Sequence, residues 1–378
     1  MTKRISVCHI ASGDRWAGAE AQVATLLRAL RRREDLCLST ILLNEGHLAE
    51  EARSAGIELK VIPEGQKGFL QIFLEADRYL RGRGIQILHS HRYKENLLAA
   101  LLAWRRNIPY VVRSQHGLPE PFGGLKQMKH AIFQVADQMV ARYSTDTVIC
   151  VSAELRSRLA RYLDPGKTVV IHNGVDVEQV RSTLTSNDAK KRLGIPGDTR
   201  VVGTVGRLDP IKRLDIFLAA AHAMSKQVPN VRFVILGEGS EEHRLREQAR
   251  ALRLQNSVFF LGQRQDVYDV VRAFDLFVLC SDHEGLPMAL LEALALAVPV
   301  VACRTGGISE VIEDGVNGVL LATGDPSALA EACLHLLADR CRRAGLAAAG
   351  MRRVAEAFSA REAAAQVARV YVSLCSVP

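Results

Sequence analysis

The sequence predicts an α/β protein built from two doubly wound parallel sheets, and three observations carry this prediction. Short β-branched apolar runs alternate with amphipathic helical patterns from end to end. The runs lack a period-two alternation, as expected of parallel strands that are covered on both faces. The chain has 378 residues, which suits two domains of roughly 150–200 residues better than one core. We therefore expect two Rossmann-like domains that face one another across a cleft.

The candidate strands fall into two groups along the chain. In the first half they are "ISVCHIA", "LSTILL", "ELKVI", "IQILHS", "YVVRS", "DTVICVS" and "TVVIH". In the second half they are "RVVGTVG", "VRFVILG", "SVFFLG", "LFVLCS", "PVVA" and "GVLL". Stretches such as "AEAQVATLLRALRR" between them have helical periodicity. Two sheets of about six or seven strands fit this pattern better than one very large sheet.

A polar stretch without strand character marks the domain boundary. It follows "IHNGVDVEQV" and continues through "TSNDAKKRLGIPGDT". We place an N-terminal domain at residues 1–178 and a C-terminal domain at residues 179–356. A C-terminal helix over residues 357–378 can cross back to the N-terminal domain, and Ser359 with Glu362 has the spacing of a capping box at its start.

Composition indicates a cytoplasmic globular protein. No apolar run reaches the roughly 18–20 residues that a membrane helix needs, and "MTKRISVCHIASGD" is too short and broken for a signal peptide. The chain has eight cysteines and no C-x-x-C pair. This pattern favours reduced, buried thiols over disulfides or a zinc site.

The net charge of +8 is concentrated in the first half, where residues 1–181 hold 26 Lys+Arg against 19 Asp+Glu. Such an excess suits an anionic membrane surface, a phosphorylated acceptor or a nucleic acid, although an ordinary basic surface explains it equally well. The segment "FGGLKQMKHAIFQVADQMVAR" can act as a membrane-surface helix or as an amphipathic helix on the core. The residues that would enter a membrane interface are Leu125, Met128, Ile132 and Phe133, with Lys126 and Lys129 at its edge.

Two glutamates occur in the apolar stretch "SDHEGLPMALLEALALAVPVVA". Glu284 is expected in a loop, Pro287 as the first residue of the following helix, and Glu292 inside that helix. Burial of a carboxylate is costly unless it is paired or hydrogen-bonded. A carboxylate can accept two hydroxyl hydrogen bonds side by side, which suits the vicinal diols of ribose and hexose. A capping role for Glu284 and a solvated position for Glu292 are the alternatives.

Cations and histidines follow other predicted strands. "VGRLDPIKRLD" places Arg207 at a strand end and Lys212 shortly after it, and a guanidinium and an ammonium together can hold a diphosphate. His116 follows one strand of the first domain, and His89 and His91 lie at the end of another. No D-x-D motif is present, so we expect a metal-free mechanism in which the cations stabilise a leaving diphosphate.

Together these motifs resemble the retaining family-four glycosyltransferases, which have the two-domain GT-B fold. "EGLPMALLEALALAVPVVA" is similar to the family's signature of two glutamates separated by seven residues, and "GRLDPIKRLD" to its Arg/Lys diphosphate clamp. "TGGISEVIEDGVNG" resembles the glycine turn that follows, "HNGVD" the segment near the domain boundary, and "AGAE" the N-terminal loop. Ala17 and Ala297 stand where the family usually has glycine.

The resemblance implies a nucleotide-diphosphate-sugar donor held mainly by the second domain, residues 179–356, and an acceptor bound by the first, residues 1–178. It also implies retaining transfer without a metal or cofactor. It implies that Arg207 and Lys212 bind the diphosphate, that Glu292 binds the ribose and that Glu284 binds the sugar hydroxyls. The whole candidate set comprises catalytic His116 and Glu284, donor-binding Gly18, Arg207, Lys212, Gly285, Leu286 and Glu292, and acceptor-side His91 and Arg92. Within it, Gly18 offers a backbone N–H near the phosphates and His116 touches the transferred sugar.

We therefore expect a hexosyltransferase that builds a lipid-linked or cell-surface glycan precursor, as in lipopolysaccharide synthesis, in the cytoplasm and peripherally at the inner face of the membrane. A hydrolysing sugar-nucleotide epimerase of the same fold is one alternative. A basic nucleic-acid-binding protein is another, but the sequence has neither interleaved basic and aromatic residues nor a recognised binding module, so nucleic acid is not an expected partner.

Overall fold

The computed structural model describes residues 4–14, 16–117 and 135–376. The chain forms two compact units, Met1–Gly174 with Ala360–Pro378, and Val175–Ser359. The passage between the units lies at Val175 rather than after residue 178, and the return lies after Ser359 rather than after residue 356. The backbone explains both positions, because the Val175 amide donates to the Phe358 carbonyl at 2.8 Å and Val175 bridges to Ser359.

The first unit contains a seven-stranded sheet in the order β3-β2-β1-β4-β5-β6-β7, and every pairing in it is parallel. The order reverses between β1 and β4, which is where ligands bind in open α/β sheets. The strands are β1 (Ile5–Ala11), β2 (Leu36–Leu42), β3 (Glu58–Val61), β4 (Ile87–Ser90), β5 (Tyr110–Gln115), β6 (Thr147–Cys150) and β7 (Thr168–Val170).

The second unit contains a six-stranded parallel sheet in the order β10-β9-β8-β11-β12-β13, with its reversal between β8 and β11. These two sheets confirm the predicted fold class. The strands are β8 (Arg200–Val205), β9 (Val231–Leu236), β10 (Val258–Phe260), β11 (Leu276–Leu279), β12 (Val300–Cys303) and β13 (Val319–Leu321).

Helices cover both faces of each sheet. In the first unit they are α1 (Gly18–Arg31), α2 (His47–Ser54), α3 (Phe69–Leu80), α4 (Tyr93–Arg106), α5 (described over 135–143), α6 (Ala153–Leu159) and the C-terminal α15 (Ala360–Ser376). In the second unit they are α7 (Ser186–Arg192), α8 (Leu214–Gln227), α9 (Glu242–Ala251), α10 (Val267–Arg272), α11 (Met288–Ala295), α12 (Ile308–Val311), α13 (Pro326–Ala338) and α14 (Arg340–Ala357).

Strand β1 shows why the strand sequences are continuously apolar. Val7 and Ala11 point into one apolar cluster, whereas Cys8 and Ile10 point into another on the opposite face of the sheet. Because successive side chains in a strand point to opposite faces, both sets are buried only when both faces are covered.

The C-terminal helix α15 returns to the first unit. It packs along α1, and its Ala364, Val367 and Tyr371 join the same apolar cluster as Leu27. Tyr371 has no exposed surface, so α15 is an integral part of the first unit's core.

All eight cysteines are free thiols, and five of them are buried. Burial raises the pKa of the Cys8 and Cys333 thiols to about 12, which keeps them protonated and unreactive. Among the helices that the structure describes, none combines the length and the apolar character needed to cross a bilayer. Most of the candidate membrane-surface segment, including all six residues named for it, lies outside the described residues.

The two alanines at family glycine positions have different backbone consequences. Ala17 has φ −143° and is extended, so an alanine fits without strain. Ala297 has φ 55° at the end of α11, a conformation that costs an L-residue about 1–2 kcal/mol relative to its usual ones. The hydrogen bonds from Val298 to Ala293 and from Ala297 to Leu294, both 3.0 Å, form a Schellman motif that maintains this conformation.

The loops that follow β11 and β12 lie backbone against backbone. The Gly307 amide donates to the Gly285 carbonyl at 2.7 Å. A Cβ on Gly306 would lie 1.9 Å from the Glu284 carbonyl oxygen. Only glycine therefore allows the second loop to support the backbone that carries Glu284.

We predict that Gly306→Ala destabilises the second unit far more than Gly315→Ala. Both glycines have positive φ, 53° and 75°, but a Cβ on Gly315 meets nothing within 4 Å. The control should lose about 1 kcal/mol from backbone strain alone, whereas Gly306→Ala should lose roughly 3 kcal/mol or more because the backbone must also move. Denaturant unfolding of both variants measures the difference, and equal losses would show that the two loops are not closely packed.

Candidate active site

The donor-binding residues predicted in the second domain lie around the strand-order reversal of its sheet. Arg207 follows β8, and Lys212 ends the short 3-10 turn Pro210–Lys212. Glu284 lies in the loop that follows β11, the strand next to β8. The carboxyl ends of neighbouring parallel strands meet at one edge of a sheet, so residues distant in sequence come together there.

Lys212 and Glu284 form a largely buried ion pair. The Lys212 Nζ lies 2.5 Å from the Glu284 Oε1, and the two side chains are 21% and 9% exposed. The Ser281 hydroxyl donates to the same carboxylate oxygen at 2.6 Å. These contacts compensate the cost of burying a carboxylate.

Arg207 borders the same recess, which Gly206, Arg207, Lys212 and Ser281 help to line. Its guanidinium lies 3.0 Å from Asp209 Oδ2, and its side chain is 39% exposed. An anion that enters the recess therefore meets one accessible guanidinium and one ammonium.

Arg213 is a contributor that the sequence did not reveal. It has φ 48°, and its guanidinium contacts the carboxylates of Asp215 at 3.0 Å and Asp282 at 3.2 Å. These two carboxylates raise the pKa of Arg213. Because Asp282 begins the loop that carries Glu284, Arg213 fixes the Lys212 turn against that loop.

Glu292 has different surroundings from Glu284. Helix α11 begins at Met288, so Pro287 is the N-cap and not the first helical residue as predicted. The Tyr268 hydroxyl donates to Glu292 Oε1 at 3.5 Å. Burial raises the pKa of this carboxyl to about 7, so both of its protonation states are populated near neutral pH.

Gly285 and Leu286 connect Glu284 to the start of α11. Leu286 is 3% exposed and belongs to the core, and Gly285 contributes its carbonyl to the contact with Gly307. Both residues position the loop through backbone and packing.

In the first unit, the predicted residues lie around the reversal between β1 and β4. Gly18 is the first residue of α1, and a Cβ on it would meet nothing within 4 Å, so the space beside it is open. Arg92 is the N-cap of α4. Its guanidinium forms an ion pair with the buried Glu20 and lies 3.5 Å from Asp14.

Three buried histidines and the half-buried His116 form a hydrogen-bonded series beside these residues, which we term the histidine chain. His9 and His89 are register partners on β1 and β4. The histidine chain begins at His116, whose Nε2 lies 3.2 Å from His91 Nδ1, and His91 Nε2 lies 3.0 Å from His9 Nδ1. The Tyr371 hydroxyl connects the next two rings, at 3.3 Å from His9 Nε2 and 2.5 Å from His89 Nδ1. The series ends where His89 Nε2 lies 2.8 Å from the Ser114 hydroxyl.

The four histidines of the histidine chain are neutral at physiological pH. Burial lowers the pKa of His9 to about 3 and that of His116 to about 4, and the charge of Arg92 contributes to the lowering at His116. Burial also lowers the pKa of His89 and of His91 well below the usual value. Each ring therefore carries one proton and one lone pair.

Three of these histidines are also the candidate metal ligands. His9, His89 and His91 each bring a ring nitrogen within 4.8 Å of the others. Both nitrogens of each ring already take part in hydrogen bonds, so a metal would have to displace several of them. His91 is one of the two predicted acceptor-side residues, and both of its ring nitrogens take part in these hydrogen bonds. The side chain of Arg92, the other predicted acceptor-side residue, is 37% exposed.

Two family models match the chain. The model for Glycosyltransferase Family 4 matches residues 16–179, and the model for glycosyl transferases group 1 matches residues 185–353. The two matches adjoin one another and correspond to most of the two structural units.

Curated relatives are similar over most of the chain. The lipopolysaccharide core biosynthesis mannosyltransferase LpsB of Rhizobium meliloti (strain 1021) is 32% identical over 236 residues, 61% of this chain and 66% of the relative. The UDP-Gal:alpha-D-GlcNAc-diphosphoundecaprenol alpha-1,3-galactosyltransferase of Escherichia coli is 28% identical over 269 residues, 70% of this chain and 69% of the relative.

Solved structures share the fold over nearly the whole chain. Anabaena HepE, solved in complex with UDP and glucose, superposes with a TM-score of 0.86 at 22% identity and covers 98% of this chain and 100% of its own. Sucrose-phosphate synthase from Thermosynechococcus elongatus has a TM-score of 0.82 at 21% identity, covering 99% and 100%. The chain belongs to the family-four glycosyltransferases of the GT-B fold.

Proposed function

We propose that this glycosyltransferase moves a hexose from a nucleotide-diphosphate-sugar to an acceptor, with retention of anomeric configuration and without a metal ion. The observation that carries the proposal is the cluster of Arg207, Lys212 and Glu284 at the strand-order reversal of the second sheet. It combines two cations that suit a diphosphate with one carboxylate that suits sugar hydroxyls.

Each donor-binding role follows from the chemistry of the group. Arg207 and Lys212 bind the diphosphate, and Glu284 accepts hydrogen bonds from hydroxyls of the sugar. Glu292 accepts the two ribose hydroxyls. In the first unit, the N-terminus of α1 at Gly18 offers backbone N–H groups to a phosphate, and His116 contacts a hydroxyl of the transferred sugar.

The proposed reaction needs no nucleophile from the protein. The bond between the anomeric carbon and the phosphate oxygen breaks, and its electron pair stays on the phosphate. The acceptor oxygen bonds to the anomeric carbon on the same face, and its proton passes to the leaving phosphate. Arg207 and Lys212 stabilise the charge that develops there, so neither Glu284 nor Glu292 forms a covalent intermediate.

We propose a lipid-linked or cell-surface glycan precursor as the acceptor. The named relatives act in lipopolysaccharide core biosynthesis and on a diphosphoundecaprenol-linked sugar, and the excess of Lys and Arg in residues 1–181 suits an anionic acceptor or surface. We infer that the enzyme acts in the cytoplasm, peripherally at the inner face of the membrane. Flotation with anionic and neutral vesicles tests this location, and failure to float with either would exclude the membrane surface.

A thermal-shift screen tests the donor site. We expect one of UDP-glucose, GDP-mannose or ADP-glucose to raise the melting temperature of the wild-type protein by mass action. Arg207→Ala and Lys212→Ala should lose that increase because each removes a charge-assisted contact of about 1.5–3 kcal/mol to the diphosphate.

Arg192→Ala is the matched control, since Arg192 is an exposed arginine of the same unit that pairs with Asp269. It should keep the full ligand-induced shift. If all three variants keep the shift, or if the control loses it equally, Arg207 and Lys212 do not bind the diphosphate.

Glu292 gives the stability of the second unit a distinct pH dependence. Its folded-state pKa of about 7 lies above the usual glutamate pKa of 4.5. The folded protein therefore binds more protons than the unfolded chain between these values, and stability falls as the pH rises from 4.5 to 7. Glu292→Gln should remove this decline, which amounts to at most about 3 kcal/mol.

Donor binding should have the opposite pH dependence, because the ionised carboxylate is the better acceptor for a ribose diol. Affinity for the donor identified in the screen should increase between pH 6 and pH 8 in the wild type and stay flat in Glu292→Gln. Calorimetry at several pH values measures both trends, and a wild-type affinity independent of pH would contradict the ribose role.

A further inference from the structure

The histidine chain can adopt only two overall directions of hydrogen bonding. Each neutral imidazole has one N–H group and one lone pair, and His9, His89 and His91 use both nitrogens within the chain. If one ring reverses its tautomer, the neighbouring ring must reverse as well to keep its hydrogen bond. The tautomers of the four histidines are therefore coupled.

Tyr371 selects between the two directions. Its hydroxyl has a single proton and two histidine neighbours, His89 Nδ1 at 2.5 Å and His9 Nε2 at 3.3 Å. O–H donors form hydrogen bonds of about 2.5–3.0 Å and N–H donors bonds of about 2.7–3.2 Å. The contact to His89 has the length of an O–H donor bond, whereas the contact to His9 is too long for one, so the hydroxyl donates to His89. The phenol oxygen must then accept a proton from His9 Nε2.

This choice propagates to His116. With Nε2 protonated, His9 accepts at Nδ1 from the Nε2–H of His91. His91 then accepts at Nδ1 from the Nε2–H of His116. His116 is left with a bare lone pair on Nδ1.

The Nδ1 atom of His116 is buried and has no hydrogen-bond partner among the described residues. An unsatisfied buried acceptor costs about 1–3 kcal/mol, and such atoms in native proteins often serve a functional contact. A hydroxyl group of a ligand would supply the missing donor.

We propose that Tyr371, acting through the histidine chain, fixes His116 in the Nε2–H tautomer so that its Nδ1 accepts a hydrogen bond from a hydroxyl of the sugar substrate. Tyr371 is thus a positioning residue supplied by the C-terminal helix α15. The inference rests on the proposed function only in its assignment of a sugar hydroxyl as the donor. The coupling of tautomers stands on the hydrogen bonds alone.

Nitrogen-15 NMR of the histidine side chains tests the tautomers of the histidine chain without a measurement of enzyme activity. In ligand-free wild-type protein, His116 should show a protonated Nε2 and an unprotonated Nδ1. The opposite pattern at His116 would overturn the proposal directly. This measurement requires no variant, so it does not depend on whether a substituted protein folds.

Tyr371→Phe removes the hydroxyl while keeping the ring. His116 should then show a mixture of both tautomers, and kcat should fall at least tenfold while the KM for the donor identified in the thermal-shift screen stays within about twofold. Tyr79→Phe is the matched control, since Tyr79 is another tyrosine of the first unit that lies outside the chain, and it should leave both readouts unchanged.

The outcomes separate this inference from the proposed function. If Tyr371→Phe keeps the wild-type tautomer and kcat, Tyr371 does not position His116 even though the enzyme transfers sugar. If wild-type protein transfers no sugar but shows the expected tautomer at His116, the hydrogen-bond direction of the histidine chain is correct. The assignment of a sugar hydroxyl as the donor to His116 Nδ1 is then wrong.

Discussion

The largely buried ion pair between Lys212 and Glu284 is the interaction that organises the proposed donor site. The two residues lie 72 positions apart in the sequence and meet because β8 and β11 are neighbours at the reversal of strand order. Each charge compensates part of the cost of burying the other, and the contact ties the two loops together. Arg213 and the glycine contact behind Glu284 hold the two loops at the distance that the pair requires.

Both sheets have a reversal of strand order, but the side chains at the two reversals differ in charge. In the second unit, the reversal of strand order brings together charged groups that suit a diphosphate. In the first unit, it brings together neutral histidines beside the ion pairs that Arg92 forms with Glu20 and Asp14. A neutral chain can control the direction of a hydrogen bond without a strong field, which suits contact with an uncharged sugar better than with a phosphate.

Much of this architecture was predictable, because the apolar runs are continuous only where both faces of a sheet are covered. The pairing of Lys212 with Glu284 was not, since sequence spacing does not report which strands become neighbours. His9 was missed because it lies within the apolar run "ISVCHIA". The only sign of a functional role there was a polar residue in a strand expected to be buried. Tyr371 was missed because its partners lie 282 and 362 residues away.

The most direct test of the donor site is calorimetric binding to wild-type protein and to Glu284→Gln. The ligands are a nucleoside diphosphate and the matching nucleotide sugar. The variant releases Lys212 from its charged partner and removes the carboxylate that we propose binds sugar hydroxyls. The nucleoside diphosphate should therefore bind at least as tightly as to the wild type, whereas the nucleotide sugar should bind at least about tenfold more weakly. Equal weakening of both ligands, or unchanged binding of the nucleotide sugar, would contradict the assignment of Lys212 to the diphosphate and Glu284 to the sugar.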